Sequence, residues 1–174
     1  MKAIRIALFF ALLSLLANAQ AQSIDASASS VTFKIGNMKI NTVDGKFSGM
    51  KGSVAFDPAD PASAKFSVCV DAATVSSGNK SRDKSLRSDS YFDVEKYPTI
   101  CISSTTVEKT GTGFLAKGKL SMHGVTKEVD IPFTYADRTF TGAFTLNRMD
   151  FGVGPNGTFM VDEDVAVSIV CKLK

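Results

Sequence analysis

From Gln22 onward the apolar residues return at every second position, and a chain spaced that way must press one face of a pleated strand against a core. SVTFKIG puts Val31, Phe33 and Ile35 on one face, KFSVCVDA does the same with Phe66, Val68 and Val70, and TICIS with Ile100 and Ile102. FLAKGKLSM aligns Ala116, Gly118, Leu120 and Met122, while EVDIPFTY aligns Val129, Ile131 and Phe133. TFTGAFTL aligns Phe140, Gly142, Phe144 and Leu146, and DVAVSIVCKL aligns Val165, Val167, Ile169, Cys171 and Leu173. A further segment, GKFSGMKGSVAF, carries Phe47, Val54 and Phe56, with Gly49 and Gly52 marking a bend or bulge. The short connectors DPADPAS, EKTGTG, HGVT and ADR are turn sequences. About eight antiparallel strands with one apolar face predict an all-β fold, a barrel or a sandwich. Glycines of inward parity at Gly49, Gly118 and Gly142 favour the curved, closed form.

The residues before this pattern read as a leader. Lys2 and Arg5 precede a short apolar run, IALFFALLSLLA, and A-x-A sites allow cleavage after Ala19 or Ala21. The run is short for a bilayer span. Residues 1–21 are therefore expected to be a signal peptide and 22–174 one barrel domain, periplasmic or secreted. Loss of Lys2 and Arg5 brings the formal charge from +3 to about +1. With no basic stripe interleaved with aromatics, no nucleic-acid partner is expected.

Three cysteines remain, an odd count for an exported chain. Cys69 has the parity opposite to Val68 and Val70, and Cys101 the parity opposite to Ile100 and Ile102. Both therefore point outward from consecutive strands, and a Cys69–Cys101 disulfide is predicted. Cys171 shares the inward parity of Val167 and Ile169 and is predicted to be a buried free thiol.

One stretch departs from the alternation. Residues 73–98, including GNKSRDKSLRSDSYFDVEKYPTI in part, are dense in charge and hydroxyls and join the third and fourth strand candidates. A structureless connection of that length is uncommon in a compact domain. Ser81 as N-cap and an absence of Gly and Pro until Pro98 predict a short helix around 82–90. It is too polar for a core helix, so it is placed across the barrel end as a lid, with Leu86, Tyr91 and Phe92 turned inward.

Few groups here can do chemistry. His123, the single histidine, lies in a strand-turn sequence without a nucleophile elbow and reads as structural. GVGPNG over 152–157 matches G-x-G-x-x-G but lacks the strand before and helix after that a dinucleotide site requires. The acidic run Asp162 to Asp164 reads as a solvated turn, and Asn79 and Asn156 open glycosylation sequons that a bacterial-looking exported chain has no reason to use. No metal or cofactor is expected. Two Arg/Asp pairs, Arg82/Asp83 and Arg148/Asp150, flank loops that converge at the barrel mouth. They read either as ion pairs pinning the lid or as arginines that meet a polar head group.

TVSSGNKSRDKSLRSDSYFDVEKYPTICISST resembles the signature of the YceI-like family of bacterial periplasmic proteins, in which T-G-N, R-D, L and F-F-D-V-x-K-Y-P-x-I joins two strands. VDGKFSGMKGSVAFDP, GKLSMHGVTKEVDIPF and NRMDFGVG are similar to its other elements, so the resemblance covers about residues 24–173. It implies an eight-stranded, lipocalin-like barrel that holds a polyisoprenoid, fatty acid or amide in its lumen. Ala28 and Asn37 stand where members often have histidines, and Tyr91 replaces a family phenylalanine.

The inward residues are then candidate ligand contacts: Phe33, Phe47, Phe56, Phe66, Val68, Ile102, Leu120, Phe133, Phe140 and Phe144. Arg82, Asp83, Leu86, Phe92, Arg148 and Asp150 are expected at the lid and mouth. The function expected is a carrier of a polyisoprenoid or other long-chain lipid, without catalysis, that contacts a membrane transiently to exchange its ligand. Two alternatives stand beside it. One is a barrel with a filled core acting through its surface, and the other is an enzyme acting on a bound lipid through His123 or Cys171.

Overall fold

A computed structural model describes residues 21–37, 41–156 and 161–174. The expected signal peptide lies outside the described residues, apart from Ala21. Among the described residues ten strands form one antiparallel sheet: β1 (Gln22–Ser23), β2 (Ser30–Asn37), β3 (Asn41–Phe47), β4 (Lys51–Ala55), β5 (Lys65–Asp71), β6 (Thr99–Lys109), β7 (Phe114–Met122), β8 (Val125–Ala136), β9 (Thr139–Asn147) and β10 (Val161–Lys172). One α-helix among the described residues, α1 (Lys80–Arg87), interrupts them. The sheet order is β1-β4-β5-β6-β7-β8-β9-β10-β2-β3. A meander from β4 to β10 is thus completed by the β2–β3 hairpin laid against β10.

The all-β antiparallel class is as the alternation predicts, but the sheet curls without a continuous ladder around it. GKFSGMKGSVAF is two strands rather than one. The chain turns at Ser48 to Met50, where Gly49 adopts φ +70°, and β3 and β4 lie at opposite ends of the ladder order. Gly49 is therefore a corner residue, and its absent side chain does not open the lumen. Gln22 and Ser23 pair with Val54 and Ser53, and the next residue, Ile24, bridges Leu173. This short N-terminal segment thereby links β4 to the end of β10. On the other side of the gap Lys46 bridges Ser76.

Inside and outside follow the pleat. In β7, Phe114, Ala116, Gly118, Leu120 and Met122 are all buried. Gly118 lies on that face for a reason other than volume. A side chain there would come within 2.3 Å of the Ser103 carbonyl, beside the bulge between Ser104 and Thr106 of β6. Two hairpin turns, His123-Gly124 and Asp137-Arg138, place both central residues at positive φ, as two-residue turns between right-twisted strands require.

Cys69 and Cys101 are directly opposed in the β5–β6 register and form a disulfide with a Cα–Cα distance of 4.1 Å. Cys171 is free and buried. In the chain-entropy model a loop closed over a separation of 32 residues stabilises the fold by about 3–4 kcal/mol. The double substitution Cys69→Ala with Cys101→Ala should lower the unfolding free energy by about 3 kcal/mol in urea titration. An unchanged midpoint and slope would show that the bridge constrains nothing in the unfolded chain.

Candidate functional site

One end of the lumen is shut by rings. Phe56 meets Phe114, Tyr135 and Phe140 edge-on at centroid distances of 5.1, 5.1 and 5.2 Å, and Phe66 and Phe133 close the group. Such edge-to-face contacts add specific geometry to the burial of large apolar areas. Phe56 belongs wholly to this floor and does not line the space above it, contrary to the expectation for that residue. Phe114 and Tyr135 complete the floor and were not among the expected residues. Their place at the ends of β7 and β8, against turn residues, hides them from a reading of alternation alone.

Above the floor is a cavity of about 610 Å³, within the range of small-molecule sites. Phe33, Phe47, Phe66, Val68, Ile102, Leu120, Phe133, Phe140 and Phe144 all line it. Cys171 lines it too, and burial pushes its thiol up to about 11, which keeps it protonated and poorly nucleophilic at neutral pH.

The lid forms the other end. Its helix starts earlier than expected because Asn79, not Ser81, is the N-cap, its Oδ1 accepting from the Arg82 amide at 3.0 Å. The helix also stops earlier, at Arg87, with the Ser88 amide donating to the Ser85 carbonyl. Leu86 and Phe92 face inward as expected, Phe92 packing edge-on against Phe47 at 5.3 Å. Tyr91 and Phe92 also cover a second apolar cluster built on Leu120, Met122, Phe151 and Val153.

Neither Arg/Asp pair is an ion pair. Arg82 donates from Nε to Ser77 Oγ at 2.7 Å and from Nη2 to the Ser77 carbonyl at 2.9 Å. Asp83 turns the other way and accepts from the Ser77 amide at 2.7 Å and its hydroxyl at 2.5 Å. Ser77 thus sits between them, accepting from the arginine and donating to the carboxylate. Arg87, absent from the expected set, donates to the carbonyls of Ala73 at 2.8 Å and Val75 at 2.7 Å and ties the helix to the chain leaving β5. Arg148 is only 4% exposed and donates to the carbonyls of Asp162, Val153 and Val161. Asp150 lies outside the cavity and pairs at 3.8 Å with Lys127, an exposed contact of little energetic weight. The lid is pinned by hydrogen bonds to Ser77 and to the backbone carbonyls of Ala73 and Val75 rather than by charge pairs.

His123 is held in its turn by a 3.0 Å bond between Nδ1 and the Phe151 carbonyl and by the edge of Tyr97 at 5.0 Å. Asp162 to Asp164 lie in β10 rather than in a turn, and the Asp162 carboxylate packs over Gly36. Gly152 and Gly154 sit in a loop with positive φ, as the reading of that glycine motif expects.

A curled antiparallel sheet around an apolar lumen, shut by rings at one end and by a helix at the other, defines an all-β barrel with an internal cavity. The chain belongs to the YceI-like domain family, whose model matches residues 22–173. Among its relatives, a UPF0312 protein of Shewanella baltica is 33% identical over 140 residues, covering 74% of this chain and 73% of its own. A UPF0312 protein of Pseudomonas putida is 35% identical over 150 residues, covering 79% and 78%. Among solved structures, Burkholderia cenocepacia BcnA superposes with a TM-score of 0.78 at 25% identity, over 85% of this chain and 98% of that one. A polyisoprenoid-binding domain from Saccharophagus degradans, implicated in plant cell wall breakdown, shares the fold at a TM-score of 0.65 and 16% identity, over 87% and 96%.

The Ser77 bonds hold the Asp83 carboxyl below its usual 3.8. A carboxyl lowered in the folded state stabilises it at pH values above the ordinary carboxylate range, and that contribution is lost as pH falls through the lowered value. The Ser77 amide resonance should therefore titrate at a pH below 3.8 in NMR spectra of the native protein. A midpoint at or above that value would mean that the Ser77–Asp83 bonds do not form in solution.

Proposed function

We propose that the protein is a binding and carrier protein for a polyisoprenoid or another long-chain amphiphilic lipid, held in the barrel lumen. The observation that carries this reading is the apolar cavity itself. A barrel of this size either fills its interior with side chains or keeps room for one ligand, and this one keeps about 610 Å³. The polyisoprenoid-binding domain of S. degradans, which shares the fold, supports the lipid class. A chain in the cavity would be held by contact with Phe33, Phe47, Phe66, Val68, Ile102, Leu120, Phe133, Phe140 and Phe144. Each buried CH₂ contributes roughly 0.8 kcal/mol before the costs of binding.

Binding without catalysis is favoured by the state of the two groups an enzyme would use. His123 is committed to a backbone carbonyl, and the Cys171 thiol is pushed up to about 11. A surface-acting module with a filled core is disfavoured by the cavity. Export to the periplasm or beyond is supported by the leader sequence and by the disulfide, which suits an oxidising compartment. Transient contact with a membrane would let an insoluble ligand enter and leave.

Native mass spectrometry joined to organic extraction tests the reading. The protein purified from its own cells should carry a non-covalent adduct, lost on denaturation and recovered as a long-chain lipid. Alkylation of Cys171 by a small apolar maleimide should be slower in the loaded protein than after lipid removal. A protein that carries no lipid and takes none up from vesicles would overturn the proposal.

The lid supplies a second test. Leu86→Ala with Phe92→Ala removes its inward apolar contacts, so transfer of a fluorescent long-chain lipid to vesicles should accelerate by about tenfold or more. The far-ultraviolet strand signal should be unchanged. Transfer at the native rate would remove the helix from the exit path.

A further inference from the structure

The lining of the cavity is one-sided in charge. Among the described residues it includes three cationic residues, Arg82, Lys117 and Arg148, and no aspartate or glutamate. Two of the three are committed elsewhere. Lys117 is paired with Glu108 at 3.0 Å, and Arg148 is buried among backbone carbonyls. Arg82 is different. Ser77 takes its Nε and Nη2, and the remaining nitrogen, Nη1, has no hydrogen-bond partner among the described residues.

The carboxylate nearest Arg82 is already engaged. Asp83, the carboxylate next to it in sequence, is 8% exposed and turned into Ser77. The Asn79 carbonyl oxygen is used as the helix cap. Asn79, Ser81 and Ser85 line the cavity beside Arg82, so the lid end offers donors and hydroxyls next to an apolar tube. A guanidinium fixed along one edge by a serine, with its other nitrogen uncommitted, is built to receive an oxygen anion.

We propose that Arg82 selects the head group of the lumen ligand, and that the preferred ligand is a single-chain amphiphile ending in an oxyanion, a carboxylate or a phosphate. Asp83 acts as a positioning residue: it holds Ser77, and Ser77 holds the guanidinium. This inference rests on the lumen being the lipid site, and its test separates the two ideas.

The probes are dodecanoate, monododecyl phosphate and dodecanol, each titrated below its aggregation threshold into delipidated protein. The readout is the ratio of anion affinity to alcohol affinity within each protein, so that a lid defect acting on both ligands cancels. The wild-type protein should prefer at least one anion over the alcohol by about tenfold or more, as a charge-assisted hydrogen bond allows. The larger of the two anion ratios identifies the carboxylate or the phosphate as the natural head. Raising the salt concentration should shrink the ratio. Arg82→Gln should bring it to within about twofold of unity, Arg82→Lys should keep part of it, and Asp83→Asn should lower it through loss of the fixed guanidinium.

Equal binding of all three probes to the wild type would overturn the head-group assignment and leave the lumen reading standing. A preference that survives Arg82→Gln would overturn it as well. Binding of none of them would overturn both. Should Arg82→Gln fail to fold, Arg82→Lys and Asp83→Asn carry the test, and a ratio undiminished in both would overturn the assignment.

Discussion

An antiparallel sheet that curls on itself must meet its own edge, and here the ladder is broken between β3 and β4. Much of the remaining structure serves that gap. The N-terminal strand pairs with β4 and passes directly to Leu173, and Lys46 of β3 takes its bridge from Ser76 rather than from a strand. The segment that supplies Ser76 also supplies Ser77, to which the lid helix is bound. Closure of the barrel and attachment of the lid are thus one piece of chain. An unpaired edge is a hazard in any sheet, and here the chain that leads into the lid takes one bridge of it, at Lys46.

The lid is held differently from the wall. Strand β7 has backbone partners on both sides over nearly its whole length and a buried face, whereas the lid is one short helix and the turn after it, with two inward apolar anchors, Leu86 and Phe92. Its attachments are the bonds of Arg82 and Asp83 to Ser77 and of Arg87 to two backbone carbonyls. Local opening requires breaking those few bonds and leaves the ladder intact, which places the segment at the low end of the stability range within the molecule. The floor, with its ring against ring packing, is the opposite case.

The wall was legible in the sequence because a period of two has only two phases, and seven of the eight alternating segments keep one phase from end to end. The disulfide followed from that phase alone, since Cys69 and Cys101 both break the inward set. GKFSGMKGSVAF was read as one bent strand, but Phe47 and Val54 are seven residues apart and so out of phase, and the positive φ of Gly49 marks the corner that makes it two. The strand Gln22–Ser23 is too short to have a period. Arg82 and Asp83 looked like partners because they are adjacent, yet neighbouring residues on a helix point about a quarter-turn or more apart. What they share is Ser77, five and six residues earlier, a relation that no local pattern encodes.

The disulfide has a mechanical meaning beyond its effect on the unfolded chain. Cys69 and Cys101 stand at the two ends of the connection that carries the lid. Force applied between the termini passes from one strand to the next through the sulfur atoms and bypasses everything between them. The lid is therefore a slack branch of the polypeptide, free to bend or even to be severed while the load-bearing chain stays continuous.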